Sequence, residues 1–169
     1  ILMLHMQYGG IEKQTITFAN ELSKKYDVEI ISTYSMKREP AYSVNNNIKI
    51  KYLIDDAPNR NEFKEAVRNK KLLKVFKEGC KATKILNLKR ELMIKEIKNI
   101  KSDFIFSTRL EFANYLSKYA PKGTVTLTEE HLHDDSEKYI KRIKKSCENL
   151  DYLITIGKGS TKNYSEWLK

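Results

Sequence analysis

Short apolar runs alternate with longer amphipathic stretches along the whole chain. Ile1–Met6, Asp27–Thr33, Ile48–Ile54, Asp103–Ser107, Thr124–Thr128 and Asp151–Ile156 concentrate branched and aromatic side chains over lengths that suit buried strands. Between them, apolar residues recur at helical spacing. Ile11, Ile16, Ala19 and Leu22 mark a helix over Ile11–Lys25, and Asn61–Lys101, free of proline, reads as two consecutive helices broken near Gly79. Leu110–Tyr119 is a helix stopped before Pro121, Ser136–Leu150 one with Ile140, Ile143, Cys147 and Leu150 inward. A closing helix, capped by Ser160 or Thr161, holds Tyr164, Trp167 and Leu168. This alternation predicts an α/β protein with a doubly wound, mostly parallel sheet and helices on both faces. The connection holding Pro40 and Asn45-Asn46-Asn47 is short enough to leave a second possibility for strands two and three, an antiparallel hairpin.

The chain has 169 residues, 40% of them apolar and 32% charged, which bounds it to one globular folding unit with a sizeable core. No apolar run approaches the ~20 residues a transmembrane helix needs, and Ile1–Met6 lacks the length and basic lead of a signal peptide. A cytoplasmic setting is therefore expected. Cys80 and Cys147 have no C-x-x-C or Cys/His spacing, so they read as reduced thiols, not a disulfide framework or a zinc site. Ile1 is not an initiator methionine, and the last residues stop within a helical pattern, so a longer protein is expected.

Ligands of a doubly wound sheet gather beyond the carboxyl ends of the strands. The loops there read Gln7–Gly10, Ser107–Arg109, Glu129–Asp135 and Gly157–Ser160. The first is the most informative. Strand, Gly9-Gly10, then helix offers bare backbone amides and positive partial charge to an anion, and paired glycines allow its close approach. A turn into a helix favours glycine on conformational grounds as well, and no full G-x-G-x-x-G is present. Gly157-Lys158-Gly159-Ser160 lacks the P-loop spacing, which removes a nucleotidase reading. His5 is assigned to packing on the first strand.

Gly9-Gly10-Ile11-Glu12 opening a helix right after the first strand resembles the N-terminal domain of retaining GT-B glycosyltransferases of family 4, also called group 1. The likeness continues through Phe18–Ile30, Glu129-Glu130-His131-Leu132-His133 after strand five, and Asp151–Ile156 before a serine-containing turn. It implies a Rossmann-like fold forming the acceptor-side half of a two-domain enzyme. Such an enzyme moves a sugar from a nucleotide-sugar to a cell-envelope, polysaccharide or protein acceptor. It also implies a separate C-terminal nucleotide-sugar domain as partner, no cofactor beyond the donor substrate, no metal, and a half that is inactive alone. Glu21/Glu29 and Glu129/Glu137 share the family's E-x7-E spacing but lie in the wrong half and read as coincidence.

Carried onto this chain, the resemblance gives Gly9 and Gly10 the donor diphosphate and makes His131 the catalytic contact to donor sugar or acceptor hydroxyl. Glu12, Arg109 and His133 become substrate-binding candidates. Each has a plainer role beside it: a first-turn glutamate suits the helix dipole, an arginine at a strand end forms a surface salt bridge, and a histidine sits in a loop. Asp134 and Asp135 read as capping acids for the following helix rather than metal ligands.

Between Asn61 and Lys101 there are 13 basic residues against five acidic ones, so most of the formal +10 lies in one helical arm. Such an arm can meet the anionic inner face of a membrane, or simply be a solvated face. A nucleic-acid-binding α/β domain competes on charge, but the aromatic residues are not interleaved with the lysines. Half of a GT-B nucleotide-sugar epimerase is the third reading. A receiver-type domain lacks the acidic cluster that should follow its first strand.

Overall fold

The computed structural model describes residues 1–55, 59–131 and 136–167. Six strands form one sheet in the order β3-β2-β1-β4-β5-β6, every neighbouring pair parallel. They are β1 (Leu2–Met3), β2 (Glu29–Tyr34), β3 (Lys49–Ile54), β4 (Phe104–Ser107), β5 (Val125–Glu130) and β6 (Tyr152–Thr155). This is the doubly wound, Rossmann-like arrangement expected from the pattern.

Alternation along the central strands divides the core. Met3 and Ile30 face α1 (Gly10–Leu22), packing with Met6, Ile16 and Ala19. Leu2, Ile31 and Ile105 face the opposite way, against Met93 and Ile97 of α3 (Leu72–Asn99) and Phe112 and Leu116 of α4 (Leu110–Tyr119). A third cluster joins Leu110 and Ala113 to Tyr139 and Ile143 of α5 (Glu137–Cys147) and to Tyr164 of α6 (Lys158–Trp167). Ser136 caps α5, its Oγ accepting from the Tyr139 N–H.

Right-handed crossovers place both α4 and α5 on the face away from α1. The α1 side of β4–β6 is therefore uncovered among the described residues. Phe104, Tyr152 and Ile154 are exposed there; from α1, Phe18 reaches across with its ring 5.3 Å from that of Phe106, and Gln14 reaches Glu129 of β5.

One open alternative closes and two sequence expectations change. Strands two and three are parallel, Glu29 pairing with Lys49 and Tyr34 with Ile54, because the chain between them crosses the sheet and packs Tyr42, Val44 and Ile48 onto the α1-side cluster instead of turning tightly. The helical arm breaks at residues 69–71, not at Gly79. There α2 (Arg60–Arg68) ends with Lys70 left-handed (φ 51°), its N–H bonded to Val67 O and that of Lys71 to Ala66 O, a Schellman closure that usually employs glycine. Gly79 lies inside α3, where a side chain would meet the Phe63 ring at 3.6 Å. Finally, α6 starts at Lys158, so Ser160 and Thr161 lie within its first turns. The Thr161 hydroxyl bonds back to Gly157 O instead of capping.

Candidate functional site

Three bends meet at the carboxyl ends of the strands: the entry to α1, the step from β4 into α4, and the end of β5. A buried hydroxyl pair, Ser107 Oγ and Thr128 Oγ1 at 2.6 Å, ties β4 to β5 at that level and so fixes where Arg109 and His131 emerge.

At the first bend Gly9 is extended (φ 168°), a conformation open to any residue. The space a side chain would need is taken by Glu12: a Cβ at position 9 would stand 2.0 Å from Glu12 Oε2, so the carboxylate would have to swing away. The Glu12 carboxylate folds back over the bend and is buried. Its Oε1 accepts from Arg109 Nη2 at 3.3 Å and lies 3.7 Å from His5 Nδ1. The latter is not a charge pair. Burial holds His5 below the ordinary imidazole range, Glu12 opposing and Arg109 adding to the effect, and His5 Nδ1 already accepts the Gln7 N–H. Glu12 thus serves as an internal counter-ion that aims the guanidinium, a role beyond satisfying the helix dipole.

The expectation of bare amides fails at Gly9. The Gly9 N–H donates to the Tyr42 hydroxyl at 3.3 Å, and that hydroxyl donates back to Gly9 O. No side chain caps α1, and the Cβ direction of Gly10 is empty within 4 Å. Gly10 opens into a cleft of about 580 Å³ running between α1 and the uncovered sheet face, past Gln14, Phe18, Phe106, Glu129 and Ile154.

At the end of β5, Glu129 is held by Gln14 Nε2 at 2.7 Å, and His131 Nε2 lies 3.4 Å from Glu129 Oε2. That approach lacks hydrogen-bond geometry. His131 Nε2 and Arg109 Nε are both buried with no hydrogen-bond partner among the described residues. Two polar atoms that folding leaves unsatisfied at one rim, beside an uncapped helix start, are the local signature of a polar ligand. His133, Asp134 and Asp135 lie outside the described residues. Among those described, no group of three or more His, Cys, Asp or Glu is arranged to hold a metal ion.

The structure therefore joins Gly9, Glu12 and Arg109 into one network and ties His131 through Glu129 to the same helix. It also adds members that the pattern did not assign. His5 belongs to the network rather than to simple strand packing. Tyr42 arrives from 33 residues away and has no local signal, Gln14 was readable only as a one-turn neighbour of Gly10, and Glu129, expected at the strand end, gains a partner there.

The fold and this rim define a Rossmann-like α/β domain with a partly unsatisfied polar site at its strand ends. No family model matches the chain. It is similar to the exopolysaccharide phosphotransferase SCO2592 of Streptomyces coelicolor, 22% identical over 139 residues, which cover 74% of this chain and 14% of that protein. The chain thus spans only about a seventh of its curated relative.

Proposed function

We propose that this chain is the acceptor-side domain of a sugar transferase of GT-B type, its strand-end rim receiving the diphosphate of a nucleotide-sugar supplied by a second domain. One observation carries the reading: Arg109, with a spare buried N–H, and the uncapped start of α1 at Gly10 are placed at one rim and held there by Glu12. In glycosyl transfer the bond from the anomeric carbon to the diphosphate oxygen breaks, and an acceptor oxygen takes its place. Negative charge gathers on the leaving group, where fixed amide dipoles and a guanidinium lower the barrier most. His131 is suited to orient the acceptor hydroxyl or donor sugar, since imidazole both donates and accepts hydrogen bonds.

The name of the Streptomyces relative, an exopolysaccharide phosphotransferase, supports sugar-related transfer and favours a second version of the reaction, transfer of a sugar phosphate. The same rim serves either, because both expel a nucleotide phosphate. The products differ. Glycosyl transfer from a UDP-sugar releases UDP, whereas sugar-phosphate transfer cleaves the P–O–P link and releases UMP. Calorimetry of the full-length protein against a nucleotide-sugar panel, followed by chromatography of the released nucleotide, tests the proposal. Binding with UDP release supports glycosyl transfer, UMP supports the second version, and absence of binding to every donor overturns both.

A further inference from the structure

The α2–α3 hairpin combines two properties that neither charge nor periodicity alone revealed. Its root is built into the core: Met93 and Ile97 are fully buried, and Lys89 Nζ reaches Glu111 Oε2 at 2.6 Å. Among the described residues its outer half is held chiefly to itself. Asn59 Nδ2 donates to Glu78 O and Glu78 Oε2, clamping the start of α2 onto the second turn of α3. At the tip, Leu72, Leu73 and Phe76 are 82%, 90% and 75% exposed, with Val67 beside them half exposed. Leu72 and Phe76 stand one helical turn apart and Leu73 is their neighbour, so the three share one outward stripe. Lys70, Lys71, Lys74 and Lys77 border it, exposed and in no ion pair among the described residues.

We infer that this tip is an interfacial anchor that inserts Leu72, Leu73 and Phe76 into the headgroup region of a bilayer rich in anionic lipid. The charge is complementary to such a surface, and the apolar stripe is convex, as insertion requires and as a groove or a stacked base does not. Phosphate-bearing nucleic acid would satisfy the lysines but leave two leucines and a phenylalanine in water. The contact is with the surface, since no helix among the described residues is long and apolar enough to cross a membrane. The inference does not depend on the sugar-transfer reading.

Flotation of the 169-residue chain with phosphatidylcholine vesicles holding about 30% phosphatidylglycerol tests it. The wild-type chain binds these and not pure phosphatidylcholine. Leu72→Ser/Leu73→Ser/Phe76→Ser and, separately, Lys70→Glu/Lys71→Glu/Lys74→Glu each weaken binding by about tenfold or more, with circular dichroism unchanged because every altered side chain is exposed. A Phe76→Trp variant shows a blue-shifted emission on vesicles beyond any change of Trp167 in the wild type. Failure of the wild-type chain to float overturns the inference. So does vesicle binding indifferent to the serine substitutions, which would mean electrostatic adsorption alone. A DNA gel shift tighter than vesicle binding and indifferent to those serines would assign the tip to nucleic acid instead.

Discussion

At the strand ends the carboxylates of Glu12 and Glu129 are engaged, Glu12 by Arg109 beside His5, and Glu129 by Gln14 beside His131. Along the α2–α3 arm the lysines at positions 70, 71, 74 and 77 reach solvent without a counter-ion among the described residues. The two regions carry similar chemical groups toward opposite ends. Internal pairing at the rim fixes geometry and leaves only selected N–H groups free, as preorganised stabilisation of a leaving group requires. Unpaired charge on the arm fixes no geometry and instead projects a field, which draws an extended anionic surface and weakens with salt.

That contrast breaks most sharply in catalysis. Arg109→Ala in the full-length protein is expected to lower the transfer rate constant about 100-fold, while Lys74→Glu leaves it unchanged for a soluble acceptor. Steady-state kinetics with the donor found by calorimetry checks both. The next largest effect is on stability. Gly9→Ala forces the Glu12 carboxylate off its partners and is expected to cost about 2 kcal/mol by urea unfolding. In a Glu12→Ala background the same change costs much less, and that coupling is the diagnostic result.

A smaller effect is pH-linked. Because folding lowers the His5 pKa, the native state binds fewer protons than the unfolded chain once pH falls below the ordinary histidine range, about 6.5. Stability therefore declines from there down to the folded-state value, with a slope of at most about 1.4 kcal/mol per pH unit from this group. His5→Asn removes that share of the slope, read as a difference between two denaturation series. The smallest effect lies on the arm. Lys70→Gly relieves a left-handed backbone and gains about 0.5 kcal/mol, whereas Lys74→Glu changes stability by less than about that amount.

Where local pattern reports burial, the fold was legible. Asp103–Ser107, Leu110–Tyr119 and Thr124–Thr128 fell close to their final bounds because each has one unambiguous period and a clear stop. The pairing of strands two and three was not legible, since it depends on Tyr42, Val44 and Ile48 finding a cluster built by α1. Gly79 misled for a related reason. Glycine marks where a chain is free to break, but the Ala66–Lys71 closure was reached with a lysine. At the site, Gly9 and Arg109 were nameable from their place at the strand ends, and Glu12 from the family resemblance. The reason for Gly9 was not, because the group that excludes a side chain there is Glu12, turned back from within the helix.

The Lys89–Glu111 pair bears on more than the root of the arm. Glu111 also accepts the Tyr115 hydroxyl at 2.9 Å and stands two residues after Arg109, on the first turn of α4. Sliding the long α3 rod along its axis therefore means rupturing a partly buried contact or dragging the guanidinium's own pedestal with it. Grip at the far tip and aim at the rim are thus bolted to one stiff beam.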